Sequence, residues 1–254
     1  DSTAVYSAGA VGMLRLEGLS CGYGPVQAVQ DLNLEVRAGT IFALLGANGA
    51  GKSSTIMSIA GHVELHGGRI LYNDTDITAW SPMQRVRSGI GLVPEGRRLF
   101  SSLTVQENLV MGGYSRPREA TEPLMEEVLG TFPRLGERLD QRAGSLSGGE
   151  QQMLAVGRAL MSRPNLMLID ELSLGLMPKV IDICYQVISD LKAKGMTIVL
   201  VEQSTHRALD VADEVAVLES GKSVWMGNAR DARESADLID ALLGLKHSEV
   251  PADS

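Results

Sequence analysis

A glycine-rich stretch in the first part of the chain decides the fold. It consists of Gly46, Ala47, Asn48, Gly49, Ala50, Gly51, Lys52 and Ser53. This spacing fits the pattern G-x-x-x-x-G-K-[ST], which predicts a loop that binds phosphate. The glycines let the chain curl so that its amide hydrogens turn inward toward an anion. Around the loop, residues 40–45 predict a buried strand and residues 52–60 predict a helix, whose amino end favours negative charge.

The side chains at the end of this loop predict a nucleotide together with a divalent cation. Lys52 is placed to bridge the β- and γ-phosphates, and the Ser53 hydroxyl is placed to coordinate Mg²⁺. Ser54, the next residue, is included among the predicted nucleotide-binding residues. The alternative is a glycine-rich turn that happens to hold Lys-Ser, and the strand before it and the helix after it count against that interpretation.

A second signal is a buried strand predicted at residues 166–169, directly followed by two acids, Asp170 and Glu171. Ligands of open α/β sheets bind at the carboxyl ends of the strands. Asp170 is therefore predicted to hold Mg²⁺, directly or through water, and Glu171 to accept a proton from the attacking water. Two solvated acids after a strand are the alternative, which the phosphate loop upstream makes less favoured.

A third signal is the stretch 146–152, which reads Leu-Ser-Gly-Gly-Glu-Gln-Gln. Ser147, Gly148 and Gly149 would stand at the start of a helix, where free amides and a hydroxyl can bind an anion. One nucleotide needs only one phosphate cradle, so a second one requires an explanation. An ordinary serine cap with a glycine turn is the alternative.

The composition limits the class of protein. The 254 residues carry 23 Lys and Arg against 31 Asp and Glu, and this acidic balance disfavours a globally basic nucleic-acid binder. No apolar run approaches the roughly 18 residues that a membrane-spanning helix needs. The two cysteines, Cys21 and Cys184, form neither a metal-binding motif nor a disulfide framework.

The order of strand and helix signals predicts an α/β fold with a mainly parallel core sheet. Residues 13–36 predict two short antiparallel strands, and residues 104–163 predict an inserted helical subdomain. We expect one domain over 13–245, with flexible ends at 1–12 and 246–254 and no signal peptide in the first segment. Further strands are predicted at 68–72, 90–93, 197–201, 215–218 and 223–226, and further helices at 81–87, 180–194, 205–212 and from Ala229.

Taken with the phosphate loop and the Asp170–Glu171 strand, the stretch 146–152 closely resembles the signature motif of ABC (ATP-binding cassette) ATPases. The resemblance covers residues 13–245 and implies a P-loop NTPase cassette that binds ATP and Mg²⁺ and hydrolyses ATP. In this family two cassettes pack head to tail, and the signature of one closes on the γ-phosphate held by the other. That arrangement would explain why one chain carries two anion cradles.

Several single positions can be matched to the same family. Tyr23 lies where an aromatic residue stacks on adenine. Glu95 takes the place of a glutamine that links Mg²⁺ and the water to the transporter contact surface. Gln203 takes the place of a switch histidine that contacts the γ-phosphate. Residues 173–176 resemble the loop that communicates between the two nucleotide sites. Glu95 can approach Mg²⁺ as a carboxylate, but it adds a like charge near the γ-phosphate. Gln203 can donate a hydrogen bond to phosphate, but it cannot carry the charge of a protonated histidine. We therefore expect slow basal hydrolysis.

Within the family, the combination of these motifs is most similar to LivF-type cassettes of branched-chain amino-acid importers. The resemblance implies a cassette at the cytoplasmic face of the membrane, paired with a LivG-like cassette or with itself. It also implies two transmembrane permease subunits, an indirect contact with an extracytoplasmic binding protein, and no nucleic acid. Importers of urea, amides or other amino acids remain alternatives, as do a soluble non-transport cassette and a nucleotide-binding module without catalysis.

Overall fold

The computed structural model describes residues 12–234. Ten strands and nine α-helices are found in this part of the chain. The flexible end predicted at 246–254, most of the one at 1–12 and the end of the domain at 245 lie outside the described residues. Gly12 itself is the first residue of a strand.

A small antiparallel sheet is formed near the amino end in the order β2-β1-β4-β5. Its strands are β1 (Gly12–Tyr23), β2 (Val26–Arg37), β4 (Glu64–Tyr72) and β5 (Thr75–Asp76). The antiparallel prediction for this region is confirmed, but β1 and β2 are 12 residues each and not short. The strands are longer than predicted because the pairing register shifts around Gly18, which has φ +59°. This irregularity lets β1 continue past the break in its hydrophobic alternation.

The second sheet has the order β10-β9-β3-β8-β7-β6. Its strands are β3 (Ile41–Gly46), β6 (Ile90–Val93), β7 (Leu166–Asp170), β8 (Thr197–Glu202), β9 (Glu214–Glu219) and β10 (Lys222–Asn228). All its neighbouring pairs are parallel except β9–β10, a hairpin, which confirms the mainly parallel core. Every residue of β3 and β8 is buried, as expected for central strands covered on both faces.

The two faces of the parallel sheet belong to different parts of the core. Ile41, Ala43 and Leu45 of β3 pack into a cluster shared with the helical region. Phe42 and Leu44 pack into a second cluster shared with the antiparallel sheet. The strand that leads into the phosphate loop is therefore held from both sides.

The helices occupy most of the remaining described chain. They are α1 (Lys52–Ile59), α2 (Pro82–Ser88), α3 (Val105–Gly112), α4 (Thr121–Thr131), α5 (Pro133–Gly136), α6 (Gly148–Leu160), α7 (Pro178–Ala193), α8 (Thr205–Val211) and α9 (Ala229–Glu234). Helices α3 to α6 stand between β6 and β7, where a helical region was predicted. Helices α3 and α6 approach each other closely at Gly112, where a Cβ would lie 2.1 Å from the carbonyl oxygen of Arg158. At Gly157 of α6, a Cβ would lie 3.0 Å from Val128 Cγ1 and 3.3 Å from Leu109 Cδ2.

Within residues 12–234, none of the helices has the length and apolar character needed to cross a membrane.

Arg85 is the largest charged side chain in the core, with 2% of its surface exposed. Its guanidinium donates to the carbonyl oxygens of Ser58 (2.7 Å) and Ile59 (2.8 Å) at the end of α1. It also donates to the carbonyl oxygens of Trp80 (3.0 Å) and Thr78 (2.9 Å). A cation at a helix carboxyl end satisfies carbonyl groups that the helix leaves free. Arg85 therefore ties α1 to the segment that leads into α2.

We predict that Arg85→Leu lowers the free energy of unfolding by about 3 kcal/mol, because several buried carbonyls lose their donor. Urea denaturation followed by circular dichroism measures the change. Arg87→Leu is the matched control, since Arg87 is exposed on the same helix, and we expect it to change stability by less than about 0.5 kcal/mol. Equal effects of the two substitutions would contradict this role of Arg85.

Candidate nucleotide-binding site

The phosphate loop connects β3 to α1, as predicted, and two of its glycines, Gly46 and Gly51, lie against other backbone segments. A Cβ at Gly46 would stand 2.5 Å from the carbonyl oxygen of Leu218. Gly51 has φ +100°, and a Cβ there would stand 2.7 Å from the carbonyl oxygen of Ala28. Neither position has room for a side chain, so the curl of the loop depends on glycine.

Lys52 lies inside this curl, with 4% of its surface exposed. Its ammonium donates to the carbonyl oxygens of Gly46 (2.8 Å) and Ala47 (3.0 Å). Burial lowers the pKa of Lys52, while the carboxylates of Glu171 and Asp170 act in the opposite direction. The positive charge is thus held at the mouth of the loop, close to the acids of β7.

Asp170 is the last residue of β7 and is 3% exposed. Its Oδ1 accepts a hydrogen bond of 3.0 Å from the Ser53 hydroxyl at the start of α1. Burial raises the pKa of Asp170 to about 6, and the nearby carboxylates of Glu95 and Glu171 raise it as well. The Ser53 hydrogen bond and the Lys52 charge act in the opposite direction. A hydroxyl and carboxylate oxygens are the hard ligands that Mg²⁺ prefers, so two of the three residues predicted to bind it, Ser53 and Asp170, are brought together.

Glu171 follows Asp170 and has a left-handed backbone with φ +54°. Its amide donates to the carbonyl oxygen of Val201 (3.0 Å), and its Oε1 accepts a hydrogen bond of 2.7 Å from Gln203 Nε2. Strands β7 and β8 are parallel neighbours. The two residues predicted to act in hydrolysis, Glu171 and Gln203, therefore meet at the carboxyl edge of the sheet.

A cavity of about 500 Å³ joins these groups. It is lined by Ala28, Asn48, Gly49, Gly51, Lys52, Ser53, Ser54, Glu95, Glu171, Leu174 and Gln203. Most of the residues predicted to bind nucleotide line it or, like Asp170, contact a lining side chain. Tyr23 is at the end of β1 with 59% of its surface exposed and is not one of the lining residues.

The stretch predicted as a second anion cradle starts α6 and is also outside the lining of this cavity. Ser147 caps the helix: its hydroxyl accepts from the Glu150 amide (3.3 Å), and the Glu150 carboxylate accepts from the Ser147 amide (3.0 Å). This capping box is the serine cap that the sequence left open as an alternative. Gly148 and Gly149 form the first turn of the helix.

Two further contacts near the site could not be predicted from the sequence motifs. Arg97 has a left-handed backbone and donates to Gln151 (3.0 Å) and Gln152 (3.3 Å) on α6. It thereby ties the loop that carries Glu95 to the start of that helix. The other contact joins Glu202 to Ser173, and it too links segments that are far apart in the sequence.

A phosphate loop between a parallel strand and a helix, with the acid Asp170 at the end of another strand of the same sheet, defines a P-loop nucleotide-binding protein. The model of the ABC transporter family matches residues 29–173, which is more than half of the chain. The chain belongs to this family, and it is an ATP-hydrolysing cassette.

Curated relatives match over nearly their whole length. The high-affinity branched-chain amino acid transport ATP-binding protein BraG of Pseudomonas aeruginosa is 45% identical over 232 residues, which cover 91% of this chain and 100% of the relative. A probable branched-chain amino acid transport ATP-binding protein LivF of Archaeoglobus fulgidus is 35% identical over 92% of this chain and 99% of the relative.

Solved structures agree with the fold. A nucleotide-free ATP-binding cassette of an ABC transporter has a TM-score of 0.83 at 25% identity, over 92% of this chain and 98% of that one. The ADP conformation of a cassette of an ABC transporter has a TM-score of 0.80 at 26% identity, over 92% and 99%. The predicted cassette fold is therefore confirmed, and so is nucleotide binding as a property of the family.

Proposed function

We propose that this chain is the ATP-hydrolysing subunit of an importer that takes up branched-chain amino acids through partner permeases. The observation that carries the proposal is the 45% identity with BraG over the whole length of that relative. The intact set of Lys52, Asp170 and Glu171 around one cavity supports hydrolysis over mere nucleotide binding.

ATP would bind with its phosphates in the loop 46–53, where Lys52 and backbone amides of the loop meet their negative charge. Tyr23, exposed at the end of β1, would stack on adenine. Mg²⁺ would be held by Ser53 and Asp170, with Glu95 as a further carboxylate. When bound, the ion neutralises charge on the phosphates. No cluster of three or more His, Cys, Asp or Glu that could hold a metal occurs in the described chain, so phosphate and water oxygens would complete the shell.

Hydrolysis would use Glu171 as the base that orients and deprotonates water. Gln203 donates a hydrogen bond to one oxygen of Glu171 and leaves the other oxygen for the water. The amide also lies at the cavity and can reach a phosphate oxygen as a neutral donor.

The second anion cradle, Ser147 with Gly148 and Gly149, would act on the γ-phosphate bound by another cassette. Cassettes of this family work as dimers with membrane permeases. We infer a head-to-tail dimer with a LivG-like cassette or with a second copy of this chain, and ATP would stabilise it by binding across the interface.

Permeases would dock on the helical region between α3 and α4. A cavity of about 720 Å³ lies there, lined by residues including Gln106, Val110 and Met125. Val110 and the neighbouring Met111 are exposed apolar side chains, which are typical of a contact surface. The chain would then lie on the cytoplasmic face of the membrane as one domain over 13–245, with 104–163 as its helical subdomain. An extracytoplasmic binding protein would contact the permeases and reach this chain only through them. No nucleic acid would bind.

We predict that Glu171→Gln lowers kcat for ATP hydrolysis by about 100-fold or more, because the base is lost while ATP binding is kept. The variant should also accumulate as an ATP-bound dimer in size-exclusion chromatography. Phosphate release measures turnover, and Glu64→Gln, an exposed acid outside the cavity, is the control. Unchanged turnover in Glu171→Gln would defeat the assignment of the base.

A second prediction concerns Gln203. We expect Gln203→His to raise basal kcat at neutral pH by about threefold or more, because a histidine can donate to phosphate and also carry charge. Steady-state phosphate release from the two purified proteins gives the comparison. If the native protein turns over as fast as the variant, slow basal hydrolysis caused by Gln203 is wrong.

The transported solute can be tested in cells that lack this chain. Complementation with the native protein should restore uptake of labelled leucine, isoleucine and valine, while Glu171→Gln should not and Glu64→Gln should. Uptake of urea, acetamide and arginine is measured in parallel. Dependence of urea or amide uptake on this chain, with leucine uptake unaffected, would replace the proposed substrate class.

A further inference from the structure

The turn at Glu171 is held in an unfavourable conformation. A non-glycine residue with positive φ is uncommon, and such a backbone persists where its surroundings determine it. The amide of Glu171 is held by the carbonyl of Val201, and its carboxylate is held by Gln203. These contacts come from the end of β8 and the residue after it, so this segment restrains the turn.

Glu202 lies between those two contacts and is buried, with 1% of its surface exposed. Its Oε1 accepts a hydrogen bond of 3.1 Å from the Ser173 amide, and its Oε2 accepts one of 2.8 Å from the Ser173 hydroxyl. Both oxygens of this buried carboxylate therefore accept hydrogen bonds from a single residue of the loop that follows Glu171.

Tyr185 on α7 lies beside the same carboxylate. Burial and the neighbouring Glu202 raise the pKa of Tyr185 above its usual range, so its hydroxyl remains a neutral donor. Helix α7 continues from the loop that contains Ser173. The polar surroundings of Glu202 thus belong to the segment that follows Glu171.

Packing alone does not require an acid at this place. An aliphatic side chain of similar length would fill the volume without the free-energy cost of burying a carboxylate. What the acid provides is two directed acceptors for Ser173, two residues beyond Glu171. Leu174, the next residue, lines the nucleotide cavity, so the position of this loop also shapes the site.

We propose that Glu202 is a positioning residue for ATP hydrolysis, which fixes Ser173 and thereby the left-handed turn that sets the place of the Glu171 carboxylate. The inference rests on the proposed role of Glu171 as the base. Glu202 does not contact the reacting atoms: it acts through Ser173.

The test compares steady-state hydrolysis of ATP by the full chain carrying Glu202→Met or Glu202→Gln. Glu202→Met keeps length and volume but removes both acceptors, and we expect kcat to fall about 10- to 100-fold with KM for ATP changed less than about twofold. Glu202→Gln should keep kcat within about threefold, because its amide oxygen can accept from the Ser173 amide while its nitrogen donates to the Ser173 hydroxyl. Glu64→Gln again serves as the control.

Ser173→Ala removes only one of the two hydrogen bonds and should lower kcat less than Glu202→Met. In the Ser173→Ala background, Glu202→Met should cost less than in the native protein, because the two residues act through the same contact. Thermal unfolding and nucleotide affinity are measured for every variant, since a role in stability alone changes these and leaves kcat of the folded fraction unaltered.

Three results would overturn the proposal: a kcat of Glu202→Met within about twofold of the native value, an equal loss in Glu202→Gln and Glu202→Met, or additive effects of Ser173→Ala and Glu202→Met. If Glu202→Met does not fold, Ser173→Ala decides, and native kcat in that variant contradicts the role. An inactive Glu171→Gln beside a fully active Glu202→Met defeats this inference alone, whereas an active Glu171→Gln defeats the assignment of the base.

Discussion

The close approach of backbone segments around the phosphate loop is the constraint on which the site depends. Gly51 lies against the carbonyl of Ala28 in β2. Gly221, in the turn between β9 and β10, donates to the carbonyl of Ala50 (3.0 Å) and accepts from the amide of Gln30 (2.8 Å). The loop is thereby fixed by the antiparallel sheet and the hairpin at once. A cradle that is rigid before ATP arrives loses little entropy when the phosphates bind.

Parallel pairing of β7 and β8 explains the rest of the site. Each strand ends in a buried acid followed by a residue of the cavity: Asp170 before Glu171, and Glu202 before Gln203. The two buried acids have different partners: Asp170 accepts a hydrogen bond from Ser53 of the phosphate loop, and Glu202 accepts from Ser173. Adjacent strands thus hold the proposed cation ligand, Asp170, and the proposed base, Glu171, in a fixed position relative to Gln203.

How far the sequence predicts this protein depends on the range of each interaction. The phosphate loop, the strand before Asp170 and the cap at Ser147 are local patterns, and the structure contains all three. The predicted lengths of β1 and β2 are wrong because a bulge at Gly18 cannot be inferred from the alternation of apolar and polar residues. The contact of Arg97 with Gln152 spans 55 positions and that of Glu202 with Ser173 spans 29, so no local pattern reveals them. Such contacts arise only when the sheet brings its strand ends together.

In the dimer that we propose, two cassettes share each ATP, one through its phosphate loop and the other through Ser147. A crystal structure of the protein with a nonhydrolysable ATP analogue and Mg²⁺, together with its partner cassette or with itself, tests it most directly. We expect the γ-phosphate to lie between Lys52 of one cassette and the first turn of α6 of the other. A structure in which Ser147 faces away from every triphosphate, in any assembly, would contradict it.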